Sequence, residues 1–226
     1  MSNKNLLNGS IFEFTKKPKK IVFLLHGYGD NGENFIPIAK YLHTSKMAIN
    51  FYAPNAPSFI PQQFSGLQWF DLYPNGVHYS NANEKEKKII KNDCEVSVQL
   101  LKNYIENLCF SHNLSYSDCF ILGFSQGAMM AFELGKYLNS KLSGCIMISG
   151  RILSFQKIDK SNFLKTPIMI LHGDNDELVD PKYFFEASDF TKSNKMIVEN
   201  HLIKDEGHTI SIKMLQLVRN FLEKYM

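Results

Sequence analysis

Short apolar runs alternate along the chain with longer amphipathic or polar stretches. Each run has the length of a strand and is bounded by polar or turn-forming residues, which is typical of buried strands. Strands are therefore predicted at Ile21–Leu25, Asn50–Ala53, Cys119–Leu122, Cys145–Ser149, Pro167–Leu171 and Met196–Ile203. The run Ile11–Phe14 is predicted to add an antiparallel strand at an edge of the sheet.

The stretches between these runs show helical periodicity. The clearest spans about Glu84 to Cys109, where apolar residues recur in steps of three or four. Ala128–Leu134 and Ser211–Lys224 are also predicted as helices. Strands that alternate with helices predict an α/β fold, with a mostly parallel central sheet covered by helices on both faces.

The length of the chain, 226 residues, suits one α/β domain and is enough to bury a large core. No internal repeat or interdomain linker interrupts the pattern, so residues 1–226 are predicted as a single domain. The polar stretch Gly150–Lys165 is predicted as a crossover loop that is too short to form a large lid.

A Gly-x-Ser-x-Gly pentapeptide, Gly123–Gly127, stands between the predicted strand Cys119–Leu122 and the predicted helix Ala128–Leu134. In this context the pentapeptide indicates a nucleophile elbow, a tight turn that presents a serine at the carboxyl end of a strand. Its glycines suit a turn in which a Cβ would clash with its neighbours. Ser125 is therefore the candidate nucleophile, and the backbone N–H of Gln126 at the helix start is a candidate oxyanion donor.

A nucleophilic serine needs a base, which follows the serine along the chain in hydrolases with this elbow. Three histidines follow Ser125, namely His172, His201 and His208. His208 lies in a polar loop just past the run Met196–Ile203, where a mobile imidazole can reach the end of a neighbouring strand. His201 lies inside that run and is interpreted as an edge or surface residue, which leaves His208 as the candidate base.

The acid that orients this base is expected in the acidic turn after Pro167–Leu171. Asp180 precedes Pro181 and a helical run, so a helix N-cap explains it without catalysis. Asp174 is able to hold the turn by accepting backbone hydrogen bonds. Asp176 lies further out and is favoured over Asp174 to meet His208, although local chemistry alone leaves both open.

The run Ile21–Leu25 leads directly into a glycine-rich loop, His26–Asp30. Such a backbone after a central strand can point an amide at a bound carbonyl. The loop matches neither a dinucleotide fingerprint nor a P-loop, which argues against a nucleotide site. His26 is predicted to brace this loop by hydrogen bonding rather than to act as a base.

Taken together in chain order, these segments resemble the phospholipase/carboxylesterase family of α/β-hydrolases, which includes the acyl-protein thioesterases. The resemblance extends from about Ile21 to the C-terminal residue. The motifs that carry it are His26–Gly32, Ala53–Pro57, Trp69–Asp71, Gly123–Gly127, His172–Asp176 with Val179, and Gly207–His208.

The resemblance implies an α/β-hydrolase fold and a role for each matching residue. It implies Ser125 as nucleophile, Asp176 as acid, His208 as base, and the backbone N–H groups of Tyr28 and Gln126 as oxyanion donors. The sequence departs from the family pattern twice: Ala128 replaces a frequent second glycine, and Val179-Asp180-Pro181 is one residue longer than the usual Val-Pro. Alanine suits a helix, and the longer loop leaves the acid in place.

A long aromatic segment, Pro57–Tyr73, shows no helical period. It is either a hydrophobic plug over the core or a wall that contacts an acyl group beside the active site. In the resembled family the Trp-Phe-Asp stretch lies near the substrate channel. Trp69, Phe70 and Leu72 are therefore predicted as substrate-binding residues.

Composition and charge exclude several other classes of protein. The net charge of +3 is modest, and no basic face with interleaved aromatic residues suggests nucleic acid. No apolar run approaches membrane-spanning length, the first residues lack an apolar signal region, and no cluster has metal-ligand spacing. Four cysteines in apolar contexts are typical of free thiols in a reducing compartment. A cytoplasmic monomer or homodimer without cofactor or metal, and without stable membrane insertion, is expected.

The function predicted from these residues is a serine carboxylesterase or thioesterase that cleaves small acyl esters or thioesters through an acyl-enzyme. A lysophospholipase or a serine peptidase on the same fold is the enzymatic alternative. A catalytically silent hydrolase-fold binding protein is the alternative from another class. All three triad residue types are present in order, which disfavours the silent protein.

Overall fold

The computed structural model describes residues 7–61, 66–154 and 161–226. Residues 1–6 of the predicted domain lie outside this description. The same holds for residues 62–65 of the aromatic segment and for residues 155–160 of the predicted crossover loop.

The strands of the described residues form one large sheet and one small hairpin. The large sheet has the order β1-β3-β2-β6-β7-β8-β9, and every strand except β1 runs parallel to its neighbours. The hairpin pairs β4 with β5. The strands are β1 (Gly9–Phe12), β2 (Lys20–Leu25), β3 (Ile49–Pro54), β4 (Ser58–Phe59), β5 (Leu67–Gln68), β6 (Cys119–Phe124), β7 (Gly144–Ile148), β8 (Ile168–Gly173) and β9 (Val198–Ile203).

Helical segments lie between the parallel strands along the chain. The α-helices are α1 (Gly32–Phe35), α2 (Ala39–Leu42), α3 (Glu84–His112), α4 (Gln126–Leu138), α5 (Lys182–Ser193) and α6 (Ile212–Lys224). Short 3-10 helices lie at Ile36–Ile38, Pro74–Gly76, Tyr79–Asn81, Tyr116–Asp118 and Asn162–Lys165.

The two faces of the sheet carry separate hydrophobic cores because side chains alternate along each strand. On β2, Ile21 and Phe23 pack in the core that α3, α4 and α5 cover. Val22 and Leu24 pack in the core that α1, α2 and α6 cover. This confirms the predicted mostly parallel sheet with helices on both faces.

The element boundaries follow local chemistry. Helix α3 begins after Asn83, which forms a capping box with Glu86, and runs three residues past the predicted Cys109 to end before Asn113 in the left-handed conformation. The edge strand β1 pairs antiparallel with β3, as predicted, although it starts two residues earlier than Ile11. Strand β6 extends two residues beyond the predicted Leu122 and therefore ends directly before Ser125.

The carboxyl ends of the parallel strands meet at one edge of the sheet, where open α/β folds bind ligands. The loops after β2, β6, β8 and β9 carry Tyr28, Ser125, Asp176 and His208, respectively. The topology thus brings four distant segments of the chain to one place. No lid-sized insertion covers this edge among the described residues.

Candidate active site

Ser125 occupies a sharp, strained turn between β6 and α4. Its backbone has φ 54° and ψ −117°, an unusual conformation for a residue with a side chain. Its N–H donates to the carbonyl of Ile148 at 2.9 Å, and its carbonyl accepts from the N–H of Ala128 at 3.0 Å. These bonds hold the strain in place, as expected for a nucleophile elbow.

The two glycines of the elbow are required by close backbone approach. A Cβ on Gly123 would lie 2.0 Å from the carbonyl oxygen of Gly127, and a Cβ on Gly127 would lie 2.0 Å from that of Leu25. Both distances are far below van der Waals contact. Any side chain at either position would push α4 away from β2 or β6, and Ser125 would move with it.

Asp176 and His208 form the closest acid–base contact at this edge of the sheet. His208 Nδ1 lies 2.8 Å from Asp176 Oδ2. The other oxygen, Asp176 Oδ1, accepts backbone hydrogen bonds from Leu178 at 3.0 Å and from Val179 at 2.8 Å. Asp176 is 4% exposed, and the backbone donors hold its carboxylate in a single orientation toward the imidazole.

The imidazole of His208 lies beside the elbow. Its ring packs on the ring of Phe124, the residue that precedes Ser125, with 4.8 Å between centroids. The loop that carries it packs closely on β8, since a Cβ on Gly173 would lie 2.2 Å from the carbonyl oxygen of Glu206. The base predicted from sequence, the acid and the elbow are thus brought together.

The two competing aspartates have structural partners of their own. Asp174 Oδ1 accepts from the backbone N–H of Asp205 at 2.7 Å and so ties the loop after β8 to the loop after β9. Asp180 Oδ1 accepts from the N–H of Lys182 at 2.8 Å at the start of α5, and Pro181 already has helical φ and ψ. Asp174 acts as the turn anchor and Asp180 as the helix cap that their local chemistry predicts.

The glycine-rich loop after β2 lies against Ser125, the candidate nucleophile. A Cβ on Gly27 would be 3.4 Å from Ser125 Cβ, so the backbone at Tyr28 is close to the serine. No hydrogen bond within the described residues uses the backbone N–H of Tyr28 or of Gln126. Both amides are therefore available to an oxyanion at this position.

His26 braces the same loop, as the sequence predicts. Its Nε2 accepts from the backbone N–H of Ala56 at 3.0 Å, and Nδ1 lies 2.8 Å from the carbonyl oxygen of Gly27. The acceptor role of Nε2 leaves the proton on Nδ1, which donates to Gly27. Burial lowers the pKa of His26, so the ring is neutral and holds the backbones of Gly27 and Ala56 at a fixed separation.

Trp69 and Phe70 belong to the framework beneath the elbow. Each is 1% exposed. The side chain of Gln126 accepts from the N–H of Trp69 at 2.9 Å and donates to the carbonyl of Phe70 at 2.8 Å, while Trp69 Nε1 donates to the carbonyl of His26 at 2.9 Å. Leu72, by contrast, is partly exposed. Contact of these residues with an acyl group remains a prediction, and burial favours Leu72 for it.

Two contacts at this site were not predicted from the sequence. The Gln126 side chain links the elbow to the aromatic segment. The one feature of the sequence that indicates this contact is the presence of a polar side chain inside an otherwise buried motif. His172 Nε2 lies 3.4 Å from Asp176 Oδ2 and 2.8 Å from the carbonyl oxygen of Val179. Burial lowers the pKa of His172, so its contact with Asp176 is not an ion pair at neutral pH.

We expect the stability of the protein to fall as the pH drops below about 6.5, the ordinary pKa of histidine. Burial depresses the pKa of both His26 and His172 in the folded state. The unfolded chain therefore binds protons first, and stability that is complete above pH 6.5 is lost on the way down to the folded pKa values. Urea unfolding at pH 7.5 and 5.5 measures this loss, and His172→Gln should reduce its size. An unchanged pH dependence in that variant would exclude His172 as a source.

Two other features are absent from the described ranges, a metal site and a membrane-spanning helix. No group of three or more His, Cys, Asp or Glu side chains is arranged to hold a metal ion. Among those residues, no helix is both long and apolar enough to cross a membrane.

Comparison with known proteins places the chain in a family. The model of the phospholipase/carboxylesterase family matches residues 8–226. Acyl-protein thioesterase 1 of Debaryomyces hansenii is 30% identical over 227 residues, covering 92% of this chain and 93% of the relative. Acyl-protein thioesterase 1 of Candida albicans is 31% identical over 187 residues, covering 77% and 78%.

The fold is similar to that of solved esterases. The crystal structure of esterase PE8 superposes with a TM-score of 0.85 and 27% identity, covering 98% of this chain and all of the other. The family match spans almost the whole sequence and includes the elbow, the acid loop and the base loop. The chain therefore belongs to the phospholipase/carboxylesterase family and is a serine ester hydrolase with the α/β-hydrolase fold.

Proposed function

We propose that the protein hydrolyses acyl esters and thioesters through a Ser125–His208–Asp176 triad and a covalent acyl-enzyme. One observation carries the assignment: the buried carboxylate of Asp176 lies 2.8 Å from His208 Nδ1, and the same imidazole packs beside the elbow. The curated relatives named acyl-protein thioesterase 1 support the substrate class.

Acylation begins when His208 Nε2 accepts the proton of the Ser125 hydroxyl as Oγ attacks the carbonyl carbon. Asp176 favours the tautomer with the proton on Nδ1 and stabilises the imidazolium that forms. The backbone N–H groups of Tyr28 and Gln126 donate to the oxyanion. Collapse of the tetrahedral intermediate breaks the bond to the alkoxide or thiolate, which His208 protonates as it leaves.

Deacylation repeats these steps with water as the nucleophile. His208 accepts a proton from the water as its oxygen attacks the acyl carbonyl, and the same two amides hold the second oxyanion. The bond from the acyl carbon to Ser125 Oγ then breaks, and His208 returns a proton to the serine. A carboxylic acid is released and the resting triad is restored.

A labelling experiment tests the triad directly. A fluorophosphonate should attach covalently to the wild-type protein at Ser125, with one adduct per chain in intact-mass spectrometry and the modified peptide containing Gly123–Gly127. Ser125→Ala should remain unlabelled. A label on another residue, or none on a folded wild-type protein, would refute the assignment and would favour a silent binding protein.

The substrate class needs its own assay. We expect cleavage of short- to medium-chain aryl esters and of acyl thioesters, and little action on triglyceride emulsions or unactivated peptides, because the described residues contain no lid-sized insertion. Faster turnover of amides would favour a peptidase, and strict selectivity for lysophospholipids would favour a lysophospholipase.

We further propose that the enzyme works in the cytoplasm as a monomer or homodimer, a location that its four buried free thiols favour.

Leu72→Ala and Trp69→Ala should affect activity differently. Trp69 is almost fully buried, so Trp69→Ala should lower the free energy of unfolding by about 3–5 kcal/mol. Any loss of kcat/KM in this variant should be the same for acetyl esters as for longer esters. Leu72→Ala should weaken the use of longer acyl chains selectively, by up to about 0.8 kcal/mol for each lost methylene contact. A series of aryl esters from acetate to octanoate measures both. A chain-length effect confined to Trp69→Ala would show that Trp69 contacts the acyl group.

A further inference from the structure

A second feature lies where β7 ends, next to the elbow. Gly150 packs against Ser125 so closely that a Cβ there would lie 3.0 Å from the serine carbonyl oxygen and 2.5 Å from Ala128 Cβ. Arg151 follows immediately. It is one of only two arginines in a chain that otherwise uses lysine, the other being Arg219.

Two aromatic rings hold the guanidinium of Arg151. Its Cζ lies 4.3 Å from the ring centroid of Tyr183, in the first turn of α5, and 5.4 Å from that of Tyr79. The guanidinium also donates a hydrogen bond to the Tyr79 hydroxyl, while its remaining N–H donors, at the edge of the planar cation, are left for other acceptors. The two rings thereby fix the side chain just past the carboxyl end of β7.

The guanidinium lacks an anionic partner. Arg151 Nε is buried without a hydrogen-bond partner, and no carboxylate in the described parts of the chain forms an ion pair with it. A buried donor on a charged group that is left unpaired is costly. A bound ligand with acceptor oxygens would remove this cost.

Arg151 lines a cleft of about 780 Å³ whose three lysines each pair with a carboxylate, and where Glu133 Oε1 is buried without a hydrogen-bond partner. Lys136 pairs with Glu133 at 2.7 Å. The rim lysines Lys87 and Lys91 pair along α3 with Glu84 at 2.8 Å and with Glu95 at 3.8 Å. The positive charge of the cleft that no described carboxylate pairs is therefore at Arg151, the residue after Gly150. Ile90, Val98 and Leu153 supply apolar walls.

We infer that Arg151 binds an anionic group, a carboxylate or a phosphate, on the substrate and so directs the enzyme to negatively charged acyl esters or thioesters. This inference rests on the proposed function, since it names the class of substrate that the triad would cleave. A guanidinium can donate two parallel hydrogen bonds to either group. Arg151 is thus a specificity determinant, whereas the bond cleavage itself is left to the triad.

Matched ester pairs test the inference and locate the charge. On the acyl side, the mono-4-nitrophenyl ester of glutaric acid is compared with its methyl-capped diester. On the leaving-group side, 4-butyryloxybenzoate and 4-butyryloxyphenyl phosphate are each compared with methyl 4-butyryloxybenzoate. The wild-type enzyme should prefer the charged member of at least one comparison by about tenfold or more in kcat/KM.

Arg151→Gln should remove that preference, with a loss of about tenfold or more on the charged ester and a change within about twofold on the neutral one. Arg151→Lys should retain part of it, because the charge remains but the paired donors do not. Arg219→Gln, on α6, is the matched control and should leave the preference intact. No charge preference in the wild type, or equal losses on both esters in Arg151→Gln, would overturn the inference.

A binding measurement separates this inference from the proposed chemistry. Monomethyl glutarate, 4-hydroxybenzoate and phenyl phosphate are titrated into Ser125→Ala by ligand-observed NMR. Binding of at least one anion that disappears in Ser125→Ala/Arg151→Gln supports the site even if the wild-type enzyme cleaves none of the esters, in which case the proposed function alone fails. Absence of binding, or binding unaffected by Arg151→Gln, overturns the anion site.

Discussion

Replacement of Ser125 with alanine is expected to lower kcat by about 10⁴ to 10⁶ while the protein stays folded. Alanine removes the attacking Oγ, and no other hydroxyl occupies the turn after β6. The backbone at this position is already strained with serine present, so alanine adds no new strain at φ 54°. His208→Ala should be about as severe, because nucleophile and base act as a unit.

Steady-state kinetics with an aryl ester, together with thermal unfolding, measures this effect. Ser149→Ala is a matched control, since Ser149 is also a buried serine with positive φ at the end of the neighbouring strand. That variant should keep kcat within a few-fold of the wild type. Near-wild-type turnover by Ser125→Ala or His208→Ala would mean that the acyl-enzyme mechanism is wrong.

The second large effect is expected from Asp176→Asn, which should lower kcat by about 10² to 10⁴. An asparagine at this position is able to donate from its amide to His208 Nδ1, and this favours the tautomer in which Nε2 carries the proton and cannot accept one from Ser125. The amide also lacks the charge that stabilises the imidazolium. The substitution is isosteric, so the loops should keep their positions.

Asp174 provides the comparison for this prediction. Asp174→Ala removes the acceptor for the Asp205 N–H and should lower the free energy of unfolding by about 1 kcal/mol, with little change in kcat. Urea unfolding and ester kinetics on both variants separate the two roles. If the Asp174 variant lost turnover while Asp176→Asn stayed active, the two assignments would have to be exchanged.

The parts of the site that the sequence predicts are those that depend on local chemistry. Gly123 and Gly127 flank Ser125 because the backbones of β2, β6 and α4 approach each other there, and this requirement is visible as a motif. The strands around them are buried on both faces, so their apolar runs are unambiguous. Asp180 before Pro181 similarly indicates a helix start, because aspartate is a common N-cap residue and proline suits the first helical position.

The remaining features depend on contacts between distant segments. Asp174 and Asp176 share one turn, and only the position of the His208 loop across the strand ends distinguishes them. Trp69 is a residue type that is typical of pocket walls, but it is buried and its backbone N–H donates to the side chain of Gln126, which is far away in the chain. In the sequence Arg151 is an ordinary cation in a loop. Only the structure shows that the lysines around it are paired with carboxylates and that Arg151 is not paired with any described carboxylate.

The position of His208 at the rim of the sheet has a consequence for how fast the enzyme loses activity at elevated temperature. Among the described residues, strand β9 pairs only with β8, and its side chains are largely half-exposed, whereas Ser125 follows a strand at the centre. Fraying of this rim would carry the base away while the centre remains folded, since local opening requires less free energy than global unfolding. The working lifetime at elevated temperature is then set by the rim, where the ion pair between Glu199 and Lys224 joins β9 to α6. Substitutions that strengthen this seam would prolong activity without touching the chemistry.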